Sequence, residues 1–263
     1  MTVVVFLVVL VVLIVVHEFG HFVAAKWAKM RVEEFGLGYP PRLFGIQWGE
    51  TVYSINALPF GGFVKICGEN LNKESIADPR AFTARPKWQQ AVVLVAGIAM
   101  NLLLAWLLIS IVLMTPRWVS DHEFIGAQPL VPALVEGAET TIQLTGAIAG
   151  GLAHFFAHVF TFSADLSQIA GPIGIAGAVG TASTLGWQNI LSLIALISIN
   201  LALVNLIPIP ALDGGRLFFV LIEAVIRRPI KPVVAQAANA AGFAFLLLLM
   251  VVVTANDVYR LIG

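Results

Sequence analysis

Two uncharged apolar runs constrain this chain more than anything else in it. Residues 91–115 and residues 233–255 contain no Asp, Glu, Lys or Arg. About 20 apolar residues in a helix cross the ~30 Å hydrocarbon core of a bilayer. A helix also satisfies its own backbone donors and acceptors there, where water cannot. Both runs therefore read as transmembrane helices. Residues 2–25 form a third. Residues 188–208 form a fourth, stopped by Pro208 and Pro210, which cannot continue a helix. Composition agrees, with 59% hydrophobic and 11% charged residues and a mean hydropathy of +0.92. The expected fold class is an α-helical polytopic membrane protein with about four transmembrane helices in a single domain over residues 1–263.

Residues 31–68 read instead as a small β insert, cytoplasmic or re-entering the membrane. Leu43–Trp48 and Thr51–Asn56 flank Gly49-Glu50, a two-residue hairpin turn. Residues 116–168 form an outer loop, in which 142–163 could span but better suits an interfacial helix on the outer surface. The Gly-rich run 171–186 suits a broken or re-entrant piece. Residues 2–16 lack the basic flank and small-residue cleavage site of a signal peptide, so they read as a retained span.

Charge fixes an orientation. Nine of the fifteen Lys and Arg lie between Lys26 and Lys87, four more between Arg216 and Lys231, and none between Trp118 and Ser163. Positive loops stay cytoplasmic, so both termini are expected outside. Trp88, Trp118 and Trp187 stand near segment ends, as interfacial anchors do. No basic tract points to nucleic acid. The single cysteine, Cys67, excludes an intrachain disulfide and a cysteine-built metal site.

The first span carries an anomaly. "VVLIVVHEFGHFVAA" sets His17, Glu18 and His21 inside an apolar helix, where ionisable groups are costly and usually functional. Positions i and i+4 share a helix face, so His17 and His21 can ligate one metal, with Glu18 beside it as general base. A catalytic zinc needs a third protein ligand and an open position. His17 lies about 24 Å down a helix entered from outside, at about 1.5 Å per residue. The span ending at Pro208 runs the same way, so Asp213 reaches a similar depth near the cytoplasmic side. It lies in "NLIPIPALDGGRL", where prolines unwind the chain and Gly214-Gly215 permit close approach.

These residues resemble the site-2 protease family of intramembrane zinc metalloproteases, and within it the bacterial group that cuts anti-sigma factors. "HEFGH" and "NLIPIPALDGG" carry the likeness. "FGLGYPPRLFG" and "SINALPFGGFVKICGE" resemble that group's β region, "VAGIAMN" its second-helix motif and "GPIGIAGA" a segment before its third helix. Only about residues 118–165 fall outside the likeness.

The resemblance implies one Zn2+ per chain on His17, His21 and Asp213, with Glu18 catalytic. It implies substrate contacts at Asn205 and along Ile55, Asn56, Gly61 and Gly62. It also implies cleavage within the membrane segments of single-pass proteins, in a bacterial inner membrane, with the active site towards the cytoplasm. Two departures stand out. Ile98 replaces a usual proline, and the outer loop is too short for the group's PDZ domain, so that filter is either absent or supplied by a separate regulatory or adaptor protein. The competing readings are a non-catalytic scaffold of the same fold and a metal-ion carrier. His154 and His158 make a second i, i+4 pair but lack a glutamate, so they read as interfacial residues beside several phenylalanines. Glu223 reads as a residue of the cytoplasmic interface.

Overall fold

The computed structural model describes residues 2–69, 78–120, 123–160 and 171–262. Its elements are α1 (Thr2–Trp27), β1 (Val32–Trp48), β2 (Thr51–Ile66), α2 (Lys87–Leu113), β3 (Arg117–Ser120) and β4 (Glu123–Ile125). Then follow α3 (Leu130–Phe160), α4 (Pro172–Leu185), α5 (Trp187–Leu206), α6 (Asp213–Ile226) and α7 (Pro232–Ile262).

Five helices, α1, α2, α3, α5 and α7, are long and apolar enough to cross a membrane. Four of these are the expected spans. The fifth, α3, starts well before the expected segment 142–163, and its mean hydropathy of 1.2 is the lowest of the five. The end of that segment, with Phe162, lies outside the described residues. Large apolar side chains stay exposed along the spans, among them Val8 and Phe19 on α1, Leu107 and Ile111 on α2, and Phe243 and Leu248 on α7. Apolar faces of that extent have no place in water and are what a bilayer covers. The chain is an integral membrane protein.

The chain divides into two units. One comprises Met1–Phe6, Asn101–Leu203 and Leu247–Gly263. Its core joins Ala105, Ile109, Ala133, Ala195 and Ile199, where small residues let helices approach closely. Ser198 Oγ donates to the Asn101 carbonyl at 2.8 Å. Helix α4 opens with Pro172 at its first turn, a position that needs no amide. The buried Asp257 carboxylate of α7 accepts the nearby N–H groups of Gly171 and Gly174 at 3.2 and 2.8 Å. At 14 residues, α4 extends about 21 Å and is too short to span. Between α2 and α4 the described residues form the β3–β4 ribbon and α3 rather than a further globular domain.

The other unit comprises Leu7–Met100 and Val204–Leu246. The hairpin turns at Gly49-Glu50 as expected, with register from Phe44↔Ile55 to Trp48↔Thr51. Both strands are long and bent. Glu34–Leu37 therefore lie between Lys65–Gly62 on one side and Val52–Ile55 on the other. The sheet's inner end packs on α1 and α2 through Ala24, Ala25, Val32, Ile66, Val93 and Leu94. Helix α2 runs unbroken through Ile98, which is buried. Unlike a proline, Ile98 keeps its N–H for the helix.

Helix α6 was not anticipated from the sequence. Its end is pinned by Glu223, which pairs with Lys87 Nζ at 2.5 Å and accepts the Ile230 N–H at 2.8 Å. Trp27 and Trp88 meet edge-to-face at 5.9 Å.

Candidate metal centre

Three side chains distant in sequence converge in the second unit. His17 and His21 project from one face of α1, and Asp213 stands in the first turn of α6. Both histidines are buried. Asp213 Oδ2 lies 2.9 Å from His17 Nε2 and 3.1 Å from His21 Nε2, and the two Nε2 atoms lie 3.2 Å apart. Among the described residues, these three form the group able to hold a metal ion.

The arrangement fits zinc. Tetrahedral bonds of about 2.0–2.1 Å set ligand atoms about 3.3 Å from one another, near the separations found. The histidine tautomer fits as well. His21 Nδ1 lies 2.8 Å from the Val93 carbonyl, which can only accept, so Nδ1 carries the proton and Nε2 offers its lone pair. That lone pair meets His17 Nε2 and a carboxylate oxygen. Such a convergence of acceptors suits a cation, and the carbonyl bond is the outer support that metal-bound imidazoles usually have.

Close backbone approach makes the site. A Cβ on Gly97 of α2 would lie 2.4 Å from His21 Nε2 and 2.9 Å from His17 Cε1. Glycine there lets α2 lie directly on both imidazoles. A Cβ on Gly62 of β2 would meet Ile14 Cγ2 at 2.9 Å and Glu18 Cγ at 3.4 Å. The sheet backbone therefore rests against Glu18. Around Asp213 the chain doubles back tightly: Cβ atoms on Gly214 and Gly215 would strike the carbonyls of Leu206, Ile207 and Ile209. Ala211 donates its N–H to Asn239 Oδ1 at 3.2 Å.

A cavity of about 220 Å3 opens beside these groups. Glu18, His21 and Asp213 line it together with Gly62, Phe63 and Val64 of β2. Tyr39, Glu69 and Arg216 complete much of its wall. Tyr39 stacks on Phe63 with ring centroids 6.5 Å apart, and Gly61, at φ +110°, leaves room for that ring.

The other residues expected to touch substrate lie elsewhere. Ile55 is exposed on the sheet. Asn56 is buried, and its amide donates to the Gly38 carbonyl at 3.0 Å. Asn205 is half-buried in the last turn of α5 and is not in the cavity wall. Tyr39, Glu69 and Gly97 were not singled out from the sequence, and Arg216 entered there only in the count of positive charges. No local pattern distinguishes them, because their roles come from packing.

His154 and His158 are far from this chemistry in sequence and lie on α3 of the other unit. Their ring centroids lie 4.0 Å apart with the planes tilted by 43°, and the Nδ1 of His158 donates to the His154 carbonyl at 2.8 Å.

Comparison with known proteins agrees with this chemistry. The pattern of peptidase family M50 matches residues 5–249. A protein of Clostridium acetobutylicum assigned as a zinc metalloprotease is 29% identical, over 94% of this chain and 94% of its own. A Fusobacterium nucleatum protein with the same assignment is 28% identical over 99% of each. The regulator of sigma-W protease RasP of Bacillus subtilis is 24% identical, again over 99% of each. With a family match over nearly its whole length, the chain belongs to peptidase family M50, the site-2 proteases: it is a zinc metalloprotease of the membrane.

Proposed function

We propose that this protease hydrolyses peptide bonds within the transmembrane segments of single-pass membrane proteins, with His17, His21 and Asp213 as the zinc ligands and Glu18 as the general base. The observation that carries the reading is the meeting of two Nε2 atoms and one Oδ2 atom within 3.2 Å, with Glu18 in the wall of the same cavity.

Zinc, when bound, supplies a Lewis acid that polarises the peptide carbonyl and lowers the pKa of water towards 7. The chain's residues do the rest. Glu18 takes a proton from the attacking water and passes it to the leaving amide nitrogen. The Val93 carbonyl holds the His21 ring in its ligating tautomer. The β2 backbone at Gly62 fixes the base from behind. A helix must be opened before its carbonyl can enter such a site, and the sheet edge that ends in Gly61-Gly62 offers an unwound segment strand-like pairing. Asn205, Ile55 and Asn56 are the remaining candidate substrate contacts.

With α3 lying outside the membrane core rather than crossing it, four spans remain, and the charge distribution supports both termini outside and the site towards the cytoplasm. Substrates then enter with cytoplasmic N-termini. The outcome is release of a cytoplasmic fragment or clearance of signal-peptide remnants. The bacterial relatives support a location in the plasma membrane, and the short outer segment supports a separate adaptor in place of a PDZ domain.

The test is zinc per chain in purified protein, beside cleavage of single-pass reporters in both orientations. Parent and Glu18→Gln should hold one zinc each, His17→Ala and Asp213→Ala none. Only the parent should cut, and only reporters with a cytoplasmic N-terminus. A Glu18→Gln protein that keeps full cleavage refutes the proposal, and a protein that binds zinc but cuts nothing favours the scaffold or carrier readings.

A further inference from the structure

Arg216 and Glu69 pair in the wall of the cavity that Glu18, His21 and Asp213 also line. Arg216 Nη1 lies 2.6 Å from Glu69 Oε1, and the Glu69 side chain is only 11% exposed. Among the described residues, Arg216 is the one Lys or Arg in the cavity wall. It lies three residues after Asp213 in the opening turn of α6, and Glu69 lies three residues after Ile66, the last residue of β2.

That turn is otherwise thinly held from the sheet side. Its cap residue, Leu212, makes no side-chain bond to it, and Ala211 just before it is held at a positive φ of 80°. The Asn239 bond comes from α7, and the Lys87–Glu223 pair lies at the far end of α6.

We propose that Arg216 and Glu69 are a positioning pair. By tying the first turn of α6 to the end of β2, they set Asp213 against the two histidines, so the sheet that borders the cavity also fixes the third ligand. This rests on the reading of Asp213 as that ligand. A rigid link matters here because metal centres tolerate ligand displacements of only about 0.2 Å. Outer supports of metal ligands typically change affinity or activity about 10–100-fold when removed.

The test is zinc affinity by competition with a chelator, on the full chain in detergent, alongside turnover. Arg216→Ala and Glu69→Gln should each weaken zinc at least about tenfold, while the thermal midpoint of the metal-free protein changes little. Arg216→Glu with Glu69→Arg, which rebuilds the pair in reverse, should recover most of the loss. Folded single variants that bind zinc as tightly as the parent overturn the inference, as does a reversed pair no better than either single change. If the parent takes up no zinc, or Asp213→Ala binds it undiminished, the ligand assignment itself fails first. If Asp213→Ala loses zinc and Arg216→Ala does not, the positioning pair alone fails.

Discussion

Replacing Gly97 with alanine should empty the metal site of a protein that still folds. The added methyl would lie 2.4 Å from His21 Nε2, 2.7 Å from His21 Cε1 and 2.9 Å from His17 Cε1. Ordinary contacts between such atoms are about 3.5–4.0 Å, so α2 or the rings must move by about 1 Å. That exceeds by several-fold the displacement of about 0.2 Å that a metal centre accepts. The rings cannot simply turn away, because His21 is held by the Val93 carbonyl from the same helix. Overpacking of one methyl in a well-packed interior costs about 1–3 kcal/mol, which a protein of this size survives. The expected result is a monodisperse, helical protein with well under one zinc per chain and no cleavage. Zinc content by mass spectrometry, with circular dichroism on the same sample, reads both. Val95→Ala, at an exposed position two residues away, should keep one zinc. Full zinc occupancy with parental affinity in Gly97→Ala would falsify the close-packing account of the site.

Two further outcomes follow from the β region. Glu50, at the hairpin turn, accepts from Lys26 at 2.8 Å and Arg80 at 2.7 Å. The Lys26 bond above all, then the Lys26 charge and Arg80, holds its carboxyl below its ordinary value of 4.5. A carboxyl depressed by folding stabilises the folded state above its unfolded pKa, and the benefit is lost as pH falls through its folded value. The tether should therefore be complete at pH 5 and above and weaken below about 4.5. Hydrogen exchange at the turn, corrected for intrinsic rates, should accelerate there in the parent. Glu50→Gln should exchange at the fast rate throughout, and a parental acid response in that variant would contradict the assignment. Cys67 is buried, and burial first, then the charges of Glu33 and Asp78, pushes its thiol up. A maleimide reagent at pH 7 should leave it unmodified until denaturant is added; prompt labelling of folded protein would refute the packing role.

Much of the candidate metal centre was legible before any coordinates. His17, Glu18 and His21 carry a spacing that only a helix makes meaningful, and the apolar run around them guarantees the helix. Asp213 was reachable because transmembrane geometry converts sequence position into depth, and two spans running the same way brought it level with the histidines. The hairpin at Gly49-Glu50 was legible from its turn residues. Helix α6 was missed. Pro208, Pro210 and Gly214-Gly215 read as punctuation, whereas the structure uses them to fold the chain back so that a new helix can start at Asp213. The start of α3 at Leu130 was missed for a related reason: Glu136 and Glu139 dilute the apolar signal, yet α-helical hydrogen bonding does not depend on apolarity.

The sequence by itself determined that the chain is a membrane protein, where most of its spans lie, and that two histidines and a glutamate share one helical turn. Each of these follows from local rules, namely the span of a bilayer and the 3.6-residue period. Only the tertiary structure decided that α2 lies directly on the imidazoles at Gly97, that the β2 backbone backs Glu18 at Gly62, and that Arg216 meets Glu69 in the cavity wall. Those contacts join residues tens to well over a hundred positions apart. Their energy depends on distances of a few tenths of an ångström, and no local pattern in the sequence encodes such distances.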